Sequence, residues 1–82
     1  EYVPDFVAET SDTILMVETK ARDDVKTPEV QAKAGAAVQW CKHASAYAAS
    51  VGAKPWRYLL VPHDMVNDAV RLQDMLRFEM NA

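Results

Sequence analysis

Asp5, Glu18 and Lys20 are the residues of this chain whose types and placing could do chemistry. Asp5 sits in an apolar run, Tyr2-Val3-Pro4-Asp5-Phe6-Val7-Ala8. Glu18 and Lys20 close a second one, Ile14-Leu15-Met16-Val17-Glu18-Thr19-Lys20. Side chains on a strand alternate faces. Glu18 and Lys20 therefore share a face with Ile14 and Met16, and Asp5 shares one with Val3 and Val7. A hairpin register that brings Asp5 beside Glu18 gathers two carboxylates at one end of a sheet. Two such charges repel and are expensive to bury, and a divalent cation cancels both. Oxygen-only ligands suit Mg²⁺ or Mn²⁺, with the Thr19 backbone carbonyl as a reasonable third protein ligand. A cation bound there makes its water easier to deprotonate for attack on phosphorus and offsets charge on the phosphoryl oxygens. Lys20 fits a positioning and electrostatic role as a cation better than that of general base. The bland alternative is a solvated strand end with an incidental Glu18–Lys20 ion pair of small energetic worth.

These residues must be positioned by a small domain. The chain has 82 residues, 50% hydrophobic and 26% charged, a globular composition sufficient for a single domain spanning 1–82. Its net charge of −3 provides no global positive field for nucleic acid, so DNA contact would rely on local basic residues or on the rest of a larger protein. Cys41 is the only cysteine, which excludes an internal disulfide and a zinc–thiolate cluster and favours a reducing, cytoplasmic setting. No apolar run approaches the ~18 residues of a membrane span, and no secretory leader is visible. The abrupt start at Glu1-Tyr2 reads as a fragment of a longer protein.

The pattern predicts the order β-β-α-β-α. Strands are expected over 2–8 and 14–20 around a polar turn at 9–13. Pro4 restricts the first strand to an edge, a strand start or a bulge. The near-continuous apolar run of the second implies burial on both faces, hence helices packed on a sheet. A charged loop follows over 21–27. Thr27-Pro28-Glu29 is a helix start, and Gly52 ends that helix. Val30, Ala34, Ala37, Val38, Cys41 and Ala48 form its apolar stripe. A third strand over 56–61 ends at Pro62 and, after a helical crossover, runs parallel to the second. A last helix over 65–80, capped by Asp64, would turn Met65, Ala69, Leu72, Leu76 and Met80 inward. The fold class is α/β (α+β), a mixed sheet flanked by helices.

Other polar residues carry weaker signals. Arg22 and Lys26 in the charged loop could touch a DNA backbone, and Asp23 and Asp24 could reach a second metal, though all four fit a solvated loop. Trp40 and Tyr47 stand on one flank of the long helix and read as packing groups. His43 and His63 lack a metal-ligand spacing. Cys41 falls on the apolar helix face as an inert buried thiol. No glycine-rich phosphate loop exists in this chain.

Pro4-Asp5 … Glu18-Thr19-Lys20 resembles the motif of the PD-(D/E)xK nuclease superfamily. The chain is more closely similar to the C-terminal endonuclease domain of the restriction (Res) subunit of type III restriction enzymes and related DEAD/DEAH-box helicase-like proteins. The likeness covers most of the chain up to about residue 61. It runs through Tyr2 to Phe6, Val17 to Lys20, Asp23-Asp24 and the helix from Lys33 to Trp40-Cys41. The resemblance implies a restriction-endonuclease-like core that lacks its first helix and strand. It also implies Mg²⁺- or Mn²⁺-dependent cleavage of double-stranded DNA, with Asp5 and Glu18 as metal ligands and Lys20 as the catalytic lysine. Gln31 and Lys33, early on the long helix, would support the site or contact phosphate. The expected partners are a helicase or translocase part of the same polypeptide, where any ATP would bind, and a modification or specificity subunit. The open sheet edge left by the missing strand would permit a homodimer. The competing function is a non-catalytic interaction module on the same scaffold.

Overall fold

The computed structural model describes residues 5–66 and 72–80. Its first two strands, β1 (Phe6–Glu9) and β2 (Ile14–Lys20), pair antiparallel with Phe6 facing Val17 and Glu9 facing Ile14. Thr10 makes the turn between them. Its N–H donates to the Thr13 carbonyl (2.8 Å), and its hydroxyl accepts from the Thr13 N–H (3.0 Å). Lys54 braces the turn from outside, 2.6 Å from Glu9 Oε2 and 2.8 Å from the Thr10 carbonyl. A single turn of helix, α1 (Arg22–Val25), interrupts what the sequence presents as a charged loop.

The long helix α2 (Pro28–Val51) begins and ends at the residues the cap chemistry demands. The Thr27 hydroxyl accepts from the Val30 N–H (3.3 Å), and Pro28 occupies the first turn, where no N–H is needed. At the other end Gly52 takes the left-handed conformation (φ +71°), so its N–H and that of Ala53 both return to the Ala48 carbonyl. The chain then enters β3 (Trp56–Pro62), parallel to β2, with Ile14 beside Trp56 and Lys20 beside Pro62. Ser45 fastens the helix to the strand: its Oγ accepts from the Trp56 N–H (2.8 Å) and donates to the Trp56 carbonyl (3.0 Å).

The sheet order is β1-β2-β3, which makes this a small α+β fold with a three-stranded mixed sheet. Both faces of the sheet are covered. Met16, Tyr58 and Leu60 meet the Ala34, Ala37, Val38 and Cys41 stripe of α2. Leu15, Val17, Leu59 and Val61 meet Met75 on the opposite face. Each of these larger apolar side chains contributes roughly 1.5–3 kcal/mol on burial, and the alanines let the helix approach closely.

Three expectations need correction. The described part of the first strand is Phe6–Glu9, one residue beyond the predicted end; Tyr2, Val3 and Pro4 lie outside the described residues. No continuous helix spans 65–80. A 3₁₀ turn (His63–Met65) follows β3, Val66 is extended, and later come α3 (Leu72–Met75) and a second 3₁₀ turn (Leu76–Phe78). Of its predicted inward set, Met65 and Leu76 pack on one face of the sheet and Met80 on the other, while Ala69 and the side chain of Leu72 lie outside the described residues. Tyr47 does not pack: it is 71% exposed, whereas half-exposed Trp40 sets its ring edge-on to Trp56 at 5.0 Å. Among the described residues, no helix is long and apolar enough to cross a membrane.

Candidate functional site

The C-terminal end of β2 carries the candidate site. Strand alternation turns Glu18 and Lys20 toward the face that Met16 shares with α2, and turns Thr19 with Leu15 and Val17 to the other. Glu18 is drawn to the edge of the α2 core by a polar partner within it. Tyr58 is 1% exposed, and its phenol donates to Glu18 Oε1 at 2.6 Å. A buried phenol needs an acceptor, and a carboxylate there receives a short, charge-assisted bond. Lys20 Nζ stands 3.6 Å from Glu18 Oε2. That separation is an ion pair rather than a hydrogen bond.

Asp5 reaches the same strand from β1 by an irregular step. Continuing the β1–β2 register would place it opposite Glu18. Its N–H instead donates to the Val17 carbonyl (3.1 Å), the residue already facing Phe6, a bulge-like step at the sheet edge. The carboxylate turns onto Thr19. Oδ2 accepts from the Thr19 N–H (2.6 Å) and from the Thr19 hydroxyl (2.9 Å). The Thr19 N–H above all holds the Asp5 carboxyl below its ordinary value of 3.8; burial opposes it, and the Thr19 hydroxyl and the charges of Lys20 and His63 add smaller lowering effects. Asp5 is thus an ionised carboxylate at neutral pH.

Asp5 is bonded to Thr19 at the sheet edge, whereas Glu18 and Lys20 pair with each other on the side of the sheet that faces α2. Asp5 holds the main chain of Thr19, Glu18 and Lys20 flank it, and the Lys20 charge acts on both acids. Each carboxylate has one oxygen fixed by a neutral donor, which sets its orientation. Asp5 Oδ1 accepts no hydrogen bond among the described residues. Carboxylate and carbonyl oxygens are the donor type a hard cation takes. Among the described residues, no group of three or more His, Cys, Asp or Glu side chains is placed to hold a metal.

The residues expected to support the site make their contacts elsewhere. Arg22 forks onto Asp64, with Nε at 2.9 Å from Oδ2 and Nη2 at 3.0 Å from Oδ1, clamping α1 to the turn after β3. Gln31 Nε2 donates to the Val25 carbonyl (2.7 Å) and so closes the C-terminus of α1. Lys33 pairs with Glu29 at 3.8 Å along the solvent side of α2, and Lys26 is exposed between the two helices. A cleft of about 320 Å³ opens beside Lys20, lined by Asp24, Thr27, Glu29 and Val30. Asp23 is exposed on α1. Cys41 is buried, and burial, then the charge of Glu79, pushes its thiol up to about 11.

Two contributors were not assigned from sequence. Thr19 was named for its carbonyl, but its N–H and hydroxyl hold Asp5. Tyr58 lies within the predicted third strand with no role assigned; a tyrosine beside Leu59, Leu60 and Val61, on a strand buried on both faces, is the signal that a polar partner lies near. No family model matches the chain, no curated protein is significantly similar to it, and no solved structure gives a significant match.

Proposed function

We propose that this chain carries a Mg²⁺- or Mn²⁺-dependent site that hydrolyses DNA phosphodiester bonds. In this reading it is a PD-(D/E)xK-type nuclease element with a restriction-endonuclease-like core, from the restriction subunit of a type III restriction enzyme. The observation that carries the reading is two carboxylates each oriented by a neutral donor near the end of β2, with Lys20 paired to Glu18 and its charge acting on Asp5. The β2–α2–β3 crossover, which leaves that strand end at an open cleft, also supports it.

Asp5, Glu18 and the Thr19 carbonyl would hold the cation. When bound, it supplies Lewis-acid activation of water and neutralises charge on the phosphoryl group. Asp5 would meet it ionised, with the Thr19 donors favouring its charged form further. Glu18 is kept from rotating by Tyr58. Lys20, as a cation beside Glu18, aligns the attacking water and stabilises the pentavalent charge from the protein side. With a net charge of −3, affinity for double-stranded DNA would come largely from a translocating portion of the same polypeptide and from a specificity subunit. Calorimetric titration with Mn²⁺ tests the reading. Wild type should bind, and Asp5→Ala and Glu18→Ala should each abolish the heat. A wild-type titration without heat overturns the proposal.

A further inference from the structure

The Tyr58 phenol reaches Glu18, one of the two candidate ligands, from within the hydrophobic core. We propose that Tyr58 is a positioning residue for Glu18 and sets the affinity of this site for its divalent cation. The inference rests on the metal-site reading above. Tyr58 lies on β3 and its ring is packed with Met16, Ala37, Val38 and Cys41 against α2, 1% exposed. A ring so enclosed has little rotational freedom, so its hydroxyl is a fixed point. That hydroxyl lies 2.6 Å from Glu18 Oε1, within the range of short bonds to ionised acceptors. Glu18 is consequently held in one rotamer, with Oε2 toward Lys20 at 3.6 Å. Asp5 has no such link to the core. It is exposed, and its bonds run to Thr19 at the sheet edge. The Tyr58 phenol thus links the α2–sheet core to Glu18.

Groups that orient a metal ligand typically change metal affinity about 10- to 100-fold when removed. Tyr58→Phe keeps the ring and removes the hydroxyl alone. In calorimetric titrations with Mn²⁺, Tyr58→Phe should bind about 10-fold or more weakly than wild type. Tyr47→Phe, at the 71% exposed tyrosine, should bind like wild type. In a Glu18→Asp background, which keeps a carboxylate but withdraws it from the phenol, binding should be weaker than wild type and Tyr58→Phe should make no further difference, because its effect passes through Glu18; a purely structural role would weaken binding in both backgrounds. If wild type binds Mn²⁺ and folded Tyr58→Phe binds it equally well, this inference falls and the metal site stands. If wild type takes no Mn²⁺, both fall. Should Tyr58→Phe fail to fold, the wild-type chain labelled with 3-fluorotyrosine decides the matter. Mn²⁺ should broaden the Tyr58 fluorine resonance well before that of Tyr47, and equal broadening of the two overturns the inference.

Discussion

Thr19 favours the charged form of Asp5, and that dependence has a sign that can be measured. Its carboxyl is lowered below 3.8 in the folded chain, by the Thr19 N–H first and its hydroxyl next. A depressed carboxyl contributes stability that is complete above its unfolded value and disappears as pH falls through its folded value. Asp5→Asn should therefore be less stable than wild type at pH 7, by up to about 1 kcal/mol for an exposed hydrogen-bonded carboxylate. The gap between their urea midpoints should close as pH drops below 3.8; a gap that persists unchanged at low pH would mean that Asp5 acts through packing. Thr19→Val, which removes the hydroxyl but not the N–H, should raise the Asp5 titration midpoint only part of the way, read by carboxyl ¹³C shifts. Cys41 shows the opposite environment. Burial, then the charge of Glu79, holds its thiol up to about 11, so it should react negligibly with a disulfide reagent at pH 8 in the native chain and rapidly in urea. The acid and lysine types at this strand end were legible because charged residues interrupt apolar runs. Their partners were not, because Thr19 and Tyr58 bond across strands whose local register and side-chain rotamers no spacing rule specifies.

At the scale of elements, α2 was readable to within a residue, and the reason lies in its ends. Thr27 and Pro28 satisfy or dispense with orphan donors, and Gly52 takes a backbone conformation that other residues resist. The two glycines of this region make a matched test. An added Cβ at either Gly35 or Gly52 would meet no atom within 4 Å, so packing cannot distinguish them. Gly35 lies within α2 with ordinary helical backbone, and Gly35→Ala should stabilise the chain by about 0.5–1 kcal/mol. Gly52 has φ +71°, and Gly52→Ala should destabilise it by about 1–2 kcal/mol. Chemical denaturation reads both, and two shifts of the same sign would refute the assignment of the helix end. The second strand was equally legible over 14–20, since a strand covered on both faces has an unbroken apolar run. The last helix was misread. Met65, Ala69, Leu72, Leu76 and Met80 have helical spacing, but a helix puts such a stripe on one surface. Here Met75 enters the core on one side of the sheet and Met80 packs on the other. A segment that must serve both faces cannot remain a single helix.

On the scale of the whole molecule, that same segment acts as a clip around the edge of β3. Leu76 and Phe78 pack with Met75 against Leu59 and Val61. Glu79 then forms an antiparallel bridge with Leu59, and the Met80 N–H donates to the Tyr58 carbonyl at 2.9 Å. Arg57 adds an ion pair to Glu79 at 3.6 Å, worth little on its own at a partly exposed site. A small domain has little stability in reserve, and both of its cores meet at this edge. Ending the chain after Met75 would uncover Leu59 and Val61 on one face, expose the Tyr58 side of the other, and free the β3 carbonyls for pairing with another chain. Such a truncation should lose cooperative thermal unfolding, bind a hydrophobic dye and self-associate in light scattering. Because Tyr58 belongs to the uncovered edge, it should also weaken Mn²⁺ binding more than the conservative Glu79→Gln change, which keeps the backbone bridge. If the truncated chain melts as cooperatively as wild type and stays monomeric, the clip contributes nothing, and the α2–sheet layer alone must position Glu18.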